Sequence, residues 1–345
     1  MRLGLVCHYP SRSVKGVLAP AIPTVSHPAF LVSPHTQDQL WDTCDLALLH
    51  HFTTCCCIVV PGEHRRQLWK KEVVSLAFSH PYVLSQILAV SALHLYREDP
   101  SSTHLIAKAF EHRGQALARI HRTLAGMNAE VCIPVFAFAG LSMVFAFADV
   151  AIQLDADGAN YDPVGHIAEC LQQNFGINTV LQSYKKDIQA SWASELINLD
   201  SKEDFDRLAT SGLVFAQEKM LHELIDAHEY RKEWQDACHG ALTLLLQTAQ
   251  ILMWRPQDHF TYHLINAWPT KLAPQFWQLL ATKSPVALLV LAYFAAVASL
   301  RPNLWWLHRW PQLLVRDITA RLGKAWEEAL AWPIQIVNDH PQHMQ

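Results

Sequence analysis

With 345 residues, 51% of them hydrophobic and 17% charged, the chain has ample apolar material for a packed core and too little charge to be disordered. A net charge of −4 and an isoelectric point near 6.6 give no basic excess, which sets aside a broad nucleic-acid-binding surface. The eight cysteines contain no CxxC pair, the usage of a cytosolic or nuclear protein and not of a disulfide framework.

Residues 1–35 carry Pro10, Pro20, Pro23, Pro28 and Pro34 without a sustained period and read as a linker or irregular arm. Leu3–Cys7 is too short for a signal sequence. From 36 to 345 the patterns are helical. The first helix is expected from Thr36, with Leu40, Trp41, Cys44, Leu48 and Phe52 on its apolar stripe. A second starts near Glu63 and stops at His80, because Pro81 moves its predecessor out of the α region. Tyr82 to Tyr96 is nearly all apolar and reads as a buried helix. Ser101 or Ser102 caps the next, whose inner face is expected at Ile106, Phe110, Leu117, Ile120 and Leu124.

Val131–Ala148 has 18 residues without a charge and Val286–Leu300 has 15. Both fall short of the roughly 20 that a membrane span needs, and we read them as core helices. Asp149 is expected where the first of these helices reaches solvent. Burial would instead raise its pKa and make it a general-acid candidate. Further helical patterns cover about 163–186, 202–210, 215–230, 234–254, 274–282 and 286–300, and a last one covers 311–331 and ends at Trp332-Pro333. Ser183–Asp206 is the weakest in period and reads as an insertion. No strand or hairpin signal occurs. The expected fold is all-α: one large helical-bundle domain of about ten or more helices around a central apolar pocket.

Motifs for known chemistries are absent. There is neither a G-x-G-x-x-G nor a P-loop, and Gly140-Leu141-Ser142 lacks the second glycine of a nucleophile elbow. His222-Glu223 has no histidine at the zincin spacing, and the pair His259 and His263 lacks a third ligand. Cys55-Cys56-Cys57 are adjacent on one helical turn, about 100° apart, so they read as structural thiols. One member of His50-His51 must face inward, as a core histidine held by a hydrogen bond. No metal site and no cofactor are expected.

Several stretches together resemble one family. Asp45-Leu46-Ala47-Leu48-Leu49-His50-His51-Phe52-Thr53-Thr54, Leu76–Pro81 with Ile87–Leu95, Val135–Ala139, and the aromatic stretch Tyr293-Phe294, Trp305-Trp306, Trp310 and Trp332-Pro333 occur in order over about 45–335. They resemble the C-terminal regulatory, ligand-binding domain of fungal zinc-cluster (Zn2Cys6) transcription factors, of the sterol-uptake-control type. The resemblance implies an all-α sensor domain, often dimeric, with an apolar ligand in a helical pocket. The zinc-cluster DNA-binding module is not seen, Cys7 being the lone cysteine before Cys44, so no direct contact with nucleic acid is expected.

The expected function is thus a regulatory or ligand-sensing module, nuclear or cytoplasmic and away from membranes, that binds a sterol- or terpenoid-like molecule. It would dimerise with itself or with a full-length regulator. Phe136, Phe145, Tyr293, Phe294, Trp305 and Trp306 are the expected ligand-binding residues. The alternative is a cofactor-free cyclase or isomerase of fungal natural-product biosynthesis, with Asp149, His94 or His50 as its acid and base.

Overall fold

The computed structural model describes residues 41–59, 63–157, 161–197, 217–254, 265, 268–300, 304–307 and 309–339. Contacts along the chain separate residues 1–38 from Gln39–Gln345, and every described residue lies in the second unit. The expected cap at Thr36, the helix over 202–210 and the pair His259 and His263 fall outside the described residues.

The first helix, α1 (Thr43–Thr54), is started by Asp42, not by a residue further upstream. The Asp45 N–H donates to the Asp42 carboxylate at 2.8 Å, and the Asp42 N–H donates to Asp45 Oδ2 at 3.2 Å, a reciprocal capping box. A 3-10 turn (Cys56–Val59) follows. Next come α2 (Glu63–Gln67), a π-helical segment (Leu68–Val73) and α3 (Val74–Ser79), which stops before His80 as the proline requires. Pro81 then occupies the first turn of α4 (Pro81–Glu98), where its missing N–H costs nothing. Tyr82 through Leu93 are buried without a break, so α4 is an interior helix with neighbours on every side.

The helix α5 (Thr103–Ala125) packs along α4, but its buried stripe is Leu105, Ala109, His112, Ala116 and Ile120. Of the expected face, Ile120 is on this stripe, Leu117 and Leu124 are partly buried beside it, and Phe110 is 39% exposed. Small side chains let α5 approach α4 closely, and the approach selects alanine over leucine. Ser102 sits at the cap position, yet its hydroxyl donates to Asp99 (2.7 Å) and accepts no bond from the helix N–H groups.

The helix α6 (Cys132–Asp157) does not end at Asp149. It runs two turns further, and Asp149 is 6% exposed, so the expectation of a solvent-facing helix end is overturned. Cys132–Gln153 is long and apolar enough to cross a membrane, but 78% of its most apolar window is buried inside the protein, against α4 and α7 (Pro163–Gln182) among others. Two short helices, α8 (Lys185–Gln189) and α9 (Ser194–Ile197), follow, then α10 (Glu218–His228) and α11 (Lys232–Trp254). Asp162, just before α7, pairs with Lys283 at 2.6 Å and Arg321 at 3.0 Å, tying three distant segments together.

A 3-10 turn (Trp268–Lys271) leads to α12 (Pro274–Ala281) and α13 (Pro285–Ser299). Residues 286–299 are all buried, and α13 is the axis of the C-terminal half, packed by α11, α14 (Trp310–Leu322) and α15 (Glu327–Asp339). The single helix expected over 311–331 is two, broken at Gly323, whose φ of +70° no side chain adopts cheaply. The second piece continues past Trp332 with Pro333 inside it.

That proline explains a side chain on α13. Pro333 has no N–H for the Ala329 carbonyl four residues back. The Tyr293 hydroxyl supplies the bond instead, donating to Ala329 O at 3.0 Å while its ring stacks on Trp332 at 5.2 Å. Tyr293→Phe should therefore leave a buried acceptor unmet and cost about 1–3 kcal/mol. Urea unfolding checks this, with an unchanged m-value. Among the described residues there is no strand: the fold is all-α, as expected.

Candidate functional site

A partly open cavity of about 80 Å³ lies where the N-terminal helices meet the 3-10 turn Trp305–Leu307. Phe52 comes from the end of α1, and Cys56 and Cys57 from the turn that follows. Trp69 comes from the π segment, Val90 from α4, and Gly140, Leu141 and Val144 from α6. Trp305 and Trp306 close it. A π segment adds a residue to a helical turn and so re-aims the side chains on it, often at functional sites. Here it sets the Trp69 ring edge 3.5 Å from where a Cβ on Gly140 would be, an ordinary van der Waals distance, so the indole packs over Gly140 of α6.

Polar groups gather behind this apolar wall. His51, the inward member of the histidine pair, meets His94 of α4 with 2.9 Å between Nε2 and Nδ1, one ring donating and the other accepting. The Cys56 sulfur completes a cluster in which the three ligand atoms lie within 4.8 Å of one another. Burial, with His51 and Arg97 beside it, pushes His94 down to about 4, and burial also lowers His51, so both rings are neutral at pH 7. Burial pushes the Cys56 thiol up, opposed by the neighbouring Ser91 hydroxyl. It pushes Cys57 up to about 12. Neither is a thiolate nucleophile as it stands.

The Trp305 ring sits edge-on to His94 at 4.7 Å, and the Arg97 guanidinium donates to the Trp305 carbonyl. One end of α4 therefore holds both the histidine cluster and the tryptophan lid.

Of the expected ligand-binding residues, Trp305 and Trp306 line this cavity; Phe136, Phe145, Tyr293 and Phe294 are not among its lining residues. Phe136 is partly buried against the core. Phe145 lies beneath the Arg113 guanidinium, 5.3 Å from its ring centre. Phe294 is stacked on Trp268 at 4.6 Å and on Trp310 at 6.1 Å, so it fills space that its neighbours also fill.

The acid–base candidates are dispersed. His50 is exposed on α1, its carbonyl accepting from the Thr53 and Thr54 hydroxyls. Asp149 is held by His166 at 3.2 Å and by Gln153, and it does not line the cavity. Of the three, His94 alone adjoins the cavity, through Trp305. Sequence reasoning missed His51 and Cys56. The signal for His51 was its place three residues after Leu48, on the stripe that buries Asp45, Leu48 and Phe52. His222 and His239 also meet, at 2.5 Å, with Asp226 at 2.9 Å from His239, on a half-exposed face of α10 and α11. Cys44, Cys55, Cys56, Cys57, Cys132 and Cys238 carry free thiols.

Residues 47–155 match the family model of the fungal specific transcription factor domain. The chain is 25% identical over 328 residues to a Zn(2)-C6 fungal-type transcription factor of Gibberella zeae, covering 90% of this chain and 65% of that protein. A Zn(2)-C6 fungal-type transcription factor of Aspergillus fumigatus is 33% identical over 129 residues, 36% of this chain and 34% of that protein. Sterol uptake control protein 2 of Candida albicans is 31% identical over 88 residues, 25% of this chain and 12% of that protein. The matches thus span less than two thirds of the length of each of these relatives. All the cavity residues except Trp305 and Trp306, together with His51 and His94, fall inside the matched domain.

Proposed function

From a chain that carries a fungal specific transcription factor domain over residues 47–155 and whose relatives are transcriptional regulators, we propose a ligand-sensing regulatory module. Its ligand is a hydrophobic, sterol- or terpenoid-like molecule received at the Trp305–Trp306 cavity. The observation that carries this reading is the convergence of Phe52 and Trp69, from the matched domain, with Trp305 and Trp306, from beyond it, on one cavity, and a relative named for the control of sterol uptake points to the same ligand class. The module acts in the nucleus, as its relatives' names suggest, and pairs with a second copy or a full-length regulator.

The cavity volume sets a condition. A pocket for a molecule of this class holds about 300–1,000 Å³, several times what is open here. The ligand must therefore displace the Trp305–Trp306 turn, which is only three residues long and is tied to α4 through Arg97 and His94. Binding is thus coupled to movement of the element that links the C-terminal half to the cavity, the linkage a sensor needs.

The test is titration with a fluorescent sterol, read by energy transfer from tryptophan, with native mass spectrometry reporting bound ligand and oligomeric state. Trp306→Ala should weaken binding at least about tenfold, or 1.4 kcal/mol. Tyr230→Ala, on an exposed site, should not. Unchanged affinity in a folded Trp306→Ala chain removes the cavity assignment.

A further inference from the structure

His51, Cys56 and His94 are separated in sequence by five and by 38 positions, yet α1, the turn after it and α4 bring their ligand atoms together. We propose that His51 Nε2, His94 Nδ1 and Cys56 Sγ bind a zinc-type divalent cation, with a water from the adjoining cavity in the fourth position.

The donor set selects the ion. Two imidazoles and one thiolate suit zinc and exclude the hard cations calcium and magnesium, which take oxygen. Metal–nitrogen bonds of about 2.0–2.1 Å and a metal–sulfur bond of about 2.3 Å place tetrahedral ligands roughly 3.3–3.6 Å apart. The two ring nitrogens stand at 2.9 Å because a hydrogen joins them, and opening that gap by about half an ångström needs only side-chain rotation. The sulfur has to close from no more than 4.8 Å.

The surroundings favour the same outcome. His51 is 9% and Cys56 5% exposed, so the ion would be shielded from solvent except through the cavity. The Glu98 carboxylate, 3.6 Å from His94 Nδ1, adds negative charge at the rim. Binding would release one proton, from Cys56 to solvent. The proton shared by the two rings would move to the far nitrogen of its own ring, leaving both facing lone pairs to the metal. Cation and thiolate would then lock α1 and the Cys56 turn against α4. This centre stands whether or not a sterol enters the cavity, since its ligands include neither Trp305 nor Trp306.

The experiment uses the full chain, reduced and stripped with chelator, then titrated with cobalt(II) and next with zinc. The expected result is a thiolate-to-cobalt charge-transfer band with tetrahedral d–d bands, both abolished by one equivalent of zinc. Cys56→Ala should remove the charge-transfer band, and His94→Ala should weaken cobalt binding at least about 100-fold. His50→Ala, altered on the exposed face of α1, should leave both unchanged. Zinc-edge X-ray absorption of the unaltered chain should show one sulfur and two imidazoles, a readout that needs no variant to fold. A zinc shell without sulfur, an absent charge-transfer band, or a band that persists in Cys56→Ala overturns the site.

Discussion

Replacing Asp45 with alanine should cost about 3–5 kcal/mol, a loss comparable to the stability of many whole domains. Asp45 is 5% exposed, and its Oδ1 accepts from His112 Nε2 at 2.9 Å, with Lys108 at 3.5 Å. His112 is 1% exposed, its Nδ1 already lacks a partner, and Trp41 stacks over it at 6.3 Å. Truncating the carboxylate strands both ring nitrogens in the core, and it also breaks the capping box that starts α1. The exposed cap partner gives the control: Asp42→Ala removes the other half of the box and an exposed ion pair with Lys108 at 2.9 Å, and should be much milder. Urea unfolding of the two variants checks the order. A loss under about 1 kcal/mol for Asp45→Ala would mean that α5 does not hold α1 through this pair.

The consequence reaches the cavity. α1 delivers His51 and Phe52 to the site from its far end, so their position depends on how its near end is docked on α5. A helix of 12 residues is marginal by itself. Its register against α4 is set by Leu48, Phe52 and the Asp45–His112 pair. Asp45→Ala should accordingly weaken both cobalt and sterol binding, although Asp45 touches neither cavity nor cluster.

How much of this was legible in the sequence varied with the range of the interaction. Apolar runs without a stripe marked α4 and α13 as interior helices, and Pro81 marked the end of α3, because these depend on local composition and backbone sterics. The inner face of α5 was misplaced except at Ile120, because large apolar residues draw the eye, whereas close packing on α4 selects Ala109 and Ala116. The break at Gly323 was hidden by an apolar period that runs on through it from Leu314 to Leu330. The aromatic stretch read as one pocket divides in space. Trp305 and Trp306 line a cavity, while Tyr293 and Phe294 are packed against Trp332, Trp268 and Trp310. Periodicity marks burial and is blind to which buried rings face empty space. The histidine–cysteine cluster was illegible for the same reason, since it depends on the angle at which α1 and its following turn meet α4.

Stability should fall as the pH is raised from 6.5 to 10, and Asp149→Asn should abolish much of that dependence. The hydrogen bond to Asp149, aided by Cys170, raises His166 from an ordinary 6.5 to about 10 in the folded chain, against an opposing burial effect. As an imidazolium, its Nε2–H donates to Asp149 Oδ2 at 3.2 Å and its Nδ1–H to the Tyr161 oxygen at 2.5 Å. The folded state therefore binds this proton more tightly than the unfolded one. Its contribution is complete below about 6.5, declines through the interval between the two pKa values, and is gone above about 10. The pair is mostly buried, His166 at 25% and Asp149 at 9% side-chain exposure, so solvent screens it little. Asp149→Asn breaks a buried pair and should lose about 3–5 kcal/mol at pH 6.5 and progressively less towards pH 10. Burial lowers Arg113, which donates to Gln86 and Ser142 close by, to about 10, so its titration overlaps only the upper end of this window, and comparing variant with wild type at each pH offsets it together with the lysine and tyrosine titrations. Parallel stability curves for the two chains from pH 6.5 to 10 would mean that His166 is not held protonated, and Asp149 would return to consideration as a free buried acid.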